Sequence, residues 1–548
     1  MLDKYTKLLS KTQKTILSAA FIISIASGIN AILGFVKGRL LATYYGDSAE
    51  LAIFYTADRI PDLIYSVLVV GALSTVFIPV FTTQYKKDKD KAWVTASSMI
   101  NISLLFFGIL SAVIYVFAPQ VMSLLSVGTF DSNQVHLGSN LMRIMLSAQI
   151  ILVISSFLTS ILQSFKYFLI PAIAPVAYNI GMILGIIFLS KNFGIYGPAY
   201  GVIIGAILHL IIQIPVMKNT DFSFRFSVNL QKNGTREIFN LMPARIGSVL
   251  MNNLITTVNN SLAILISTSA VVHLKFANQL QFFPVHLFGF SIAHASLPTL
   301  SEEGDMENLG LFKRTYITSL HQMMFLVVPA SVILLILRIP IVRIVYGAST
   351  FPWEATVKTA YALAFFSISI FAQAGIYLVT RAFYSLKDTS TPAKVSAWAI
   401  AVNVLLSLWF VKGLGLGVWS VAFAFSIASI GTFFALLVLF SKKIGGIDMA
   451  EYIKPFVKIS WAAVFMGVGL YVPLKLLDQF VFDTTRTVPL IALTGIASLV
   501  GVAIYLLLTW LFKVEEIELL YRLIKKLKIK AGLDVAATTT IGAREEIG

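Results

Sequence analysis

The sequence predicts an all-α polytopic membrane protein with 14 transmembrane helices, arranged as two parallel-repeat six-helix lobes plus two C-terminal helices. The apolar composition, the spacing of the apolar runs and an internal repeat support this fold class. Of the 548 residues, 57% are apolar and 12% are charged, whereas an average soluble domain is about 25% charged. The chain therefore cannot cover a soluble surface of its size. Because it contains no cysteine, a disulfide scaffold and a cysteine-ligated zinc site are also excluded.

The apolar stretches are long enough to cross a bilayer as helices, which takes about 20 residues each. None shows the period-2 alternation of a membrane β-strand. We number them as spans 1 to 14, at 16–44, 63–85, 93–118, 137–163, 170–190, 195–217, 237–266, 271–298, 316–338, 355–380, 392–411, 416–440, 456–477 and 487–512.

The basic residues orient these spans. With 14 spans, both termini and every even-numbered loop share one side, which carries about 29 of the 42 Lys and Arg residues. The positive-inside rule makes that side cytoplasmic. The net charge of +16 is therefore mostly a result of topology, and no nucleic-acid partner is expected.

An internal repeat divides the chain. Residues 159–166 match 380–387 at a shift of 221 residues, and Gly194 matches Gly415 at the same shift. The shift covers six spans, and an even number makes the two copies parallel. Parallel repeats are a transporter design in which the lobes alternate access to a site between them. Duplication without a transport role is the alternative.

This repeat predicts the domain organisation. We expect an N-lobe at 1–217, a C-lobe at 237–440, spans 13 and 14 at 456–512, and a cytoplasmic tail at 513–548. The tail begins with a basic amphipathic segment, which is suited to anionic lipids. Its end is polar and small, which indicates disorder.

Polar residues inside the spans indicate a wet chamber, because ionisable groups are costly in lipid. Asn30 and Lys37 in span 1 are seven residues apart and share a helix face. Spans 7 and 8 carry further polar stripes, which either line a cavity or bond a neighbouring helix. These stripes are Arg245, Asn252, Thr256 and Asn259 in span 7, and Lys275, Asn278, Gln279 and His286 in span 8, where Pro284 is expected to bend the helix.

The basic residues of the spans predict recognition of an anion. Lys37, Arg143, Arg245 and Lys275 have almost no acidic partner in the spans, and a positive cavity requires water or an anionic ligand. A diphosphate headgroup fits such a cavity. Arg143 lies near the end of span 4, where snorkelling to the interface is an equal alternative.

The motifs of several other function classes are missing. The sequence has no phosphate loop, nucleotide fingerprint or nucleophile elbow, and its six histidines show no metal-ligand spacing. We therefore expect a membrane transporter and not an enzyme, without a cofactor. Its energy would come from an ion gradient, the membrane potential or the substrate gradient.

A resemblance to a known family is carried by seven segments, of which 381–392 is the strongest. The others are 33–37, 59–63, 71–74, 77–80, 171–179 and 297–301. Between about 20 and 440 the chain resembles the lipid II flippase (MurJ/MviN) family of the multidrug/oligosaccharidyl-lipid/polysaccharide exporter superfamily. The resemblance implies a 14-helix flippase of the bacterial inner membrane. Such a protein moves lipid II, an undecaprenyl-diphosphate-linked peptidoglycan precursor, to the outer leaflet by alternating access. It serves peptidoglycan synthesis and cell shape, beside other cell-envelope synthesis proteins.

Three alternatives stay open at this point. The chain could flip another undecaprenyl-linked glycan, or be a transport-inactive scaffold for cell-envelope synthesis. It could also be a drug/ion antiporter of the same superfamily, which would need titratable carboxylates in its spans.

The resemblance also identifies departures from the family. The family's cavity arginines align with Ala31, Lys37, Tyr65 and Gln279, so only Lys37 keeps a positive charge, and an acidic position of span 1 aligns with Gly38. Asp388 belongs to the 381–392 signature, with either a capping or an ion-binding role. The predicted substrate-binding residues are Asn30, Lys37, Arg59, Tyr65, Arg245, Asn252, Thr256, Asn259, Lys275 and Gln279.

Overall fold

The computed structural model describes residues 16–67, 76–227, 233–304, 309–446 and 449–518. Within these ranges the regular structure is helical, and the only β-type pairing is an isolated bridge between Ala348 and Phe351. This agrees with the apolar runs, because a helix satisfies its backbone polar groups within a single segment. The predicted tail at 513–548 lies outside the described residues from 519 onward.

The first half of the chain forms eleven α-helices in its described part. They are α1 Ile16–Tyr45, α2 Ala49–Ala57, α3 Arg59–Tyr65, α4 Ile78–Lys87, α5 Lys89–Val116, α6 Ala118–Leu125, α7 Ser132–Ser164, α8 Leu169–Leu184, α9 Ser190–Phe193, α10 Tyr196–Ile211 and α11 Ile214–Met217.

The second half forms eleven more in its described part. They are α12 Asn233–Ile266, α13 Ala270–Pro284, α14 Ser291–Glu303, α15 Leu309–Ile336, α16 Arg338–Tyr346, α17 Trp353–Ser367, α18 Ile370–Ser385, α19 Ser390–Leu408, α20 Trp419–Lys443, α21 Met449–Phe480 and α22 Thr487–Leu511.

Ten helices of the described residues are long and apolar enough to cross a membrane. An eleventh is added if α17 and α18, which meet at a bend of 44°, form one span. The described part of the chain is therefore helical with ten or eleven candidate spans, and the count of 14 stays a prediction. Span 2 contains residues 68–75, which lie outside the described part of the chain.

Several long helices contain a π-helical turn, where one extra residue widens the helix. One of them, Val285–Phe290, follows directly after Pro284 and joins α13 to α14. This π-helical turn lies beside the proline of span 8, and the predicted bend at Pro284 stays a prediction. Further π-helical turns are Gly185–Leu189, after α8, and Trp409–Gly413, after α19.

The matched positions of the internal repeat have similar backbone conformations. Lys166 and Lys387 both have a positive φ, of 63° and 59°, two residues after the helices that end at Ser164 and Ser385. Gly194 and Gly415 also share a positive φ, of 54° and 63°. Positive φ is rare outside glycine, so its recurrence at the shift of 221 supports the duplication. The arrangement of the lobes stays a prediction.

The chain separates into two compact units. Unit 1 comprises the described residues up to Leu280 together with Val342–Leu363 and Ser396–Ala428. Unit 2 comprises Gln281–Ile341, Ala364–Val395 and the described residues from Ser429 onward. Tyr316, Phe383 and Phe440 lie in the buried core of unit 2.

Unit 1 contains a close contact between α8, with the π-helical turn after it, and α10. A Cβ atom added at Gly181 or Gly185 would overlap the backbone of Gly205 or Gly201. Small residues let helix backbones approach closely in a membrane, where packing drives association. This contact determines the position of α8 and of the polar residue that α8 presents to α1.

Candidate substrate-binding site

Lys37 and Asn30 lie on one face of α1 and both interact with α8. The Nζ of Lys37 donates a hydrogen bond to Oδ1 of Asn179, at 3.0 Å. The Nδ2 of Asn179 in turn donates to Oδ1 of Asn30, at 2.7 Å. Lys37 Nζ also lies 3.7 Å from the sulfur of Met182. The partly buried lysine is therefore held by neutral groups.

Arg59 begins α3 and is 8% exposed. Its Nε donates to the carbonyl oxygen of Tyr55, at 3.1 Å, and its Nη2 lies 3.4 Å from Oδ2 of Asp58. The aromatic ring of Tyr55 faces another cation, because Nζ of Lys275 on α13 lies 5.7 Å from the ring centroid. A cation over an aromatic face is attracted by the ring quadrupole. Tyr55 thus places Arg59 and Lys275 near each other.

Lys275 is the centre of a mixed charge cluster. Two carboxylates, Asp58 and Asp62, attract it. Two cations, Arg59 and Lys37, repel it. The predicted lack of acidic partners concerned residues within the spans, and Asp58 and Asp62 lie outside them, just before span 2 at 63–85. The sequence prediction therefore did not include these two carboxylates.

The resemblance places neutral residues at three family arginine positions, Ala31, Tyr65 and Gln279, and the side chains of Tyr65 and Gln279 are hydrogen-bonded. Gln279 of α13 donates from Nε2 to the carbonyl oxygen of Gly34 on α1, at 2.9 Å. Tyr65 shares a hydrogen bond with Ser156 of α7, at 2.8 Å. Both side chains therefore connect helices of unit 1. They supply no positive charge.

The remaining predicted residues lie on α12. The side chains of Arg245 and Asn252 are outside the described residues. Thr256 is exposed, whereas Asn259 is buried and its Oδ1 has no hydrogen-bond partner in the described part of the chain. The neighbouring Asn260 donates to Thr56 of α2, at 3.2 Å. The role of this stripe therefore stays a prediction.

Arg143 has a local set of contacts. Its Nε donates to the carbonyl oxygen of Tyr115 at 3.1 Å, its Nη1 donates to Asn140, and its guanidinium lies over the Tyr115 ring. These contacts involve α5 and α7 and none of the charged residues around Lys275.

Asp388 lies in the loop between α18 and α19 and acts as a cap. Its carboxylate accepts hydrogen bonds from the backbone amides of Ser390 and Thr391 and from both hydroxyl groups. Lys443 Nζ donates to the same carboxylate at 2.7 Å. Although burial acts in the opposite direction, the hydrogen bonds from Lys443, Thr391 and Ser390 hold the pKa of Asp388 well below its usual range. Of the two roles left open, the structure contains the capping contacts.

Three residues that interact with the predicted cations were absent from the predicted substrate-binding residues. They are Asp58 and Asp62, which attract Lys275, and Asn179, which accepts a hydrogen bond from Lys37. All three lie in or beside segments that carried the family resemblance, 59–63 and 171–179. No group of three or more His, Asp or Glu side chains in the described ranges is placed to hold a metal ion.

Comparison with known proteins identifies the family. A family model described as lipid II flippase MurJ matches residues 41–490. The chain belongs to this family. Relatives with this name agree over most of its length, which confirms the resemblance. The probable lipid II flippase MurJ of Bdellovibrio bacteriovorus is 26% identical over 530 residues, covering 94% of this chain and 98% of that protein. That of Thermotoga maritima is 26% identical over 506 residues, covering 91% and 97%.

Solved structures share the fold of this MurJ-family chain. A lipid II flippase MurJ in an inward closed conformation matches with a TM-score of 0.75 at 24% identity, covering 90% of this chain and 98% of that one. An inward-facing multidrug resistance MATE transporter of the MOP superfamily matches with a TM-score of 0.64 at 14% identity, covering 78% and 98%. The membership makes the chain a multi-span membrane protein of a transporter family.

Proposed function

We propose that this chain flips lipid II, an undecaprenyl-diphosphate-linked peptidoglycan precursor, from the inner to the outer leaflet of the bacterial cytoplasmic membrane by alternating access. The observation that carries the proposal is the charge cluster of unit 1 in a chain of the MurJ family. Lys37 is held there by neutral partners. We further propose 14 spans, two six-helix lobes and cytoplasmic termini, as the positive-inside rule indicates.

The charges of this cluster suit a diphosphate. Lys37, Arg59 and Lys275 are three basic residues, and Asp58 and Asp62 are two acidic residues, so the formal net charge of the cluster is positive. In a medium of low dielectric constant such a charge needs an anion or water. A diphosphate supplies several oxygen acceptors for an ammonium point charge and a guanidinium.

The contacts of the cations assign them different roles. Arg59 is fixed by Tyr55 and Asp58, which orient its guanidinium. Lys275 is attracted by the carboxylates without an ion-pair contact among the described residues. Asp58 and Asp62 both attract Lys275, whereas of these two carboxylates Asp58 alone attracts Lys37. Because the charge of Lys37 is less compensated, we propose that Lys37 makes the first contact with the diphosphate. Arg59 and Lys275 then complete the site, together with the predicted Arg245.

The two carboxylates also bear on the energy source. A cation-coupled transporter needs titratable or ion-binding groups at its transport site. We propose that an ion gradient or the membrane potential drives the flippase, and that Asp58 and Asp62 are the carboxylates of the described chain best placed to sense it. The same pair favours, as a second candidate, a cation-coupled exporter of another lipid-linked glycan.

The test of the function is genetic rescue. The native flippase is depleted in a bacterium that expresses this chain, and lipid II in the outer leaflet is measured in the same cells. We expect wild-type rescue, loss of rescue with Lys37→Met, and retained rescue with Lys412→Met, which changes an exposed lysine at the end of the π-helical turn after α19.

Failure of the wild-type chain to restore outer-leaflet lipid II, despite confirmed membrane insertion, would exclude lipid II as its substrate. A different undecaprenyl-linked glycan accumulating in the inner leaflet upon deletion of the native gene would then identify the second candidate. Rescue by the wild type and equally by Lys37→Met would exclude the role assigned to Lys37.

A further inference from the structure

Asn179 has an amide group whose orientation is determined by its two partners. An ammonium group only donates hydrogen bonds, so the oxygen of the amide must face Lys37 Nζ, at 3.0 Å. The Nδ2 group then faces Oδ1 of Asn30, at 2.7 Å. Rotating the amide by half a turn would place an NH₂ group against the ammonium. The bond from Lys37 would then be lost.

The backbone that carries Asn179 is held firmly. Asn179 is 7% exposed, and two residues farther along, Gly181 is packed against the backbone of Gly205. The helix cannot shift away from α10 to accommodate a different partner for Lys37, because close-packed interfaces transmit small changes in volume. The acceptor offered to Lys37 is therefore a property of position 179 itself.

The chemistry of that acceptor determines what Lys37 can bind. No carboxylate of the described chain lies within ion-pair distance of Lys37, although Asp58 attracts it from farther away. A neutral amide oxygen occupies one N–H of the ammonium and leaves its charge uncompensated. A carboxylate at the same place would neutralise the charge by direct contact, and an incoming anion would then be repelled.

We propose that Asn179 is a specificity-determining positioning residue, which orients the Lys37 ammonium group without neutralising it by direct contact, and so makes the site selective for an anionic lipid headgroup. The proposal rests on the proposed function and names the residue that gives it anion selectivity. Asn179 acts through Lys37 in this scheme. The lipid need not contact Asn179.

The experiment measures selectivity with two defined lipids. The purified full chain in lipid nanodiscs is titrated with undecaprenyl diphosphate and with undecaprenol, and the ratio of the two dissociation constants is compared between variants. The variants are Asn179→Asp, Asn179→Leu and Lys37→Met. The control is Asn101→Asp, the same substitution at another buried asparagine, which donates to the carbonyl oxygens of Arg225 and Ser227. A ratio cancels losses of folded protein.

We expect the wild type to prefer the diphosphate, and Asn179→Asp to reduce that preference about tenfold or more, as removal of a charge-assisted contact does. Lys37→Met should reduce it similarly, Asn179→Leu should reduce it less, and Asn101→Asp should leave it unchanged. If Asn179→Asp weakened both lipids equally, Asn179 would be a structural residue and the inference would be overturned.

Two further results separate this inference from the proposed function. Preference retained in Asn179→Asp and lost in Lys37→Met would overturn the role of Asn179 and leave the proposed function standing. A wild type that binds both lipids equally would overturn both.

Discussion

The contact between α1 and α13 at Gly38 makes a quantitative prediction about packing. A Cβ atom added to Gly38 would lie 3.1 Å from Cε1 of Tyr346 and 3.3 Å from Oε1 of Gln279. A Cβ atom added to Gly28, on the same helix, would meet nothing within 4 Å. The two glycines therefore form a matched pair in which only the neighbouring side chains differ.

The expected free energies follow from that geometry. Alanine in place of glycine stabilises a helix interior by about 1 kcal/mol, and we expect Gly28→Ala to gain this amount. At Gly38 the crowding offsets the gain, so that Gly38→Ala should be near neutral. Gly38→Leu should destabilise by about 1–3 kcal/mol, which is typical of overpacking, whereas Gly28→Leu should not destabilise.

The assay is reversible unfolding of the full chain in mixed micelles, with increasing fractions of a denaturing detergent and tryptophan fluorescence as the signal. Equal free-energy changes at the two glycines would refute the close contact of α1 with Gln279 and Tyr346. A second comparison adds charge: Gly38→Asp should be destabilising, and Gln279→Arg in the same chain should recover about 1–3 kcal/mol through an ion pair. Absence of any coupling between the two substitutions would contradict the contact independently.

Three further predictions concern other contacts. Asp388→Asn should destabilise the chain near neutral pH, because the pKa of Asp388 is lowered in the folded protein. The stability that this provides is present above the usual pKa of an aspartate and is lost as the pH falls through the lowered value. The unfolding midpoints of the wild type and the variant, measured against pH, should therefore converge in acid. Asp62→Asn should strengthen binding of undecaprenyl diphosphate several-fold, because a carboxylate that attracts Lys275 is removed, and unchanged or weaker binding in the nanodisc titration would count against the charge scheme. Gly185→Leu should prevent α8 and α10 from packing and cost more than about 3 kcal/mol; a fully folded variant by size-exclusion chromatography and unfolding would show that the contact is dispensable.

The helical, membrane-spanning character of the protein could be predicted because hydropathy is a local property. Both α5 and α22 contain an apolar stretch long enough to cross a bilayer, and no packing partner is needed to predict that lipid surrounds it. The family could be predicted as well, from short segments such as 381–392 whose residues are contiguous. The bend predicted at Pro284 also rests on local chemistry, because proline lacks a donor and disturbs the helix around it.

The partners of the polar residues could not be predicted in this way. Lys37 and Asn179 are 142 residues apart, and Gly34 and Gln279 are 245 apart, so no spacing rule connects them. Span 1 correctly suggested that Asn30 and Lys37 share a face. The sequence of span 1 could not indicate that Asn179 bridges Asn30 and Lys37. The position of Asn179 depends on the close packing of α8 and the π-helical turn after it against the glycines of α10.

The charged residues show most clearly which properties follow from the sequence and which follow from the tertiary structure. The sequence by itself determined that the chain is a polytopic membrane protein of the MurJ type with a few cations in its spans. Hydropathy and the family's signature segments both depend on residues that are contiguous in the chain. Only the tertiary structure decided that Asp58 and Asp62 act on Lys275 and that Lys37 is held by an amide. Coulomb energy depends on distance in space, and helix packing sets those distances.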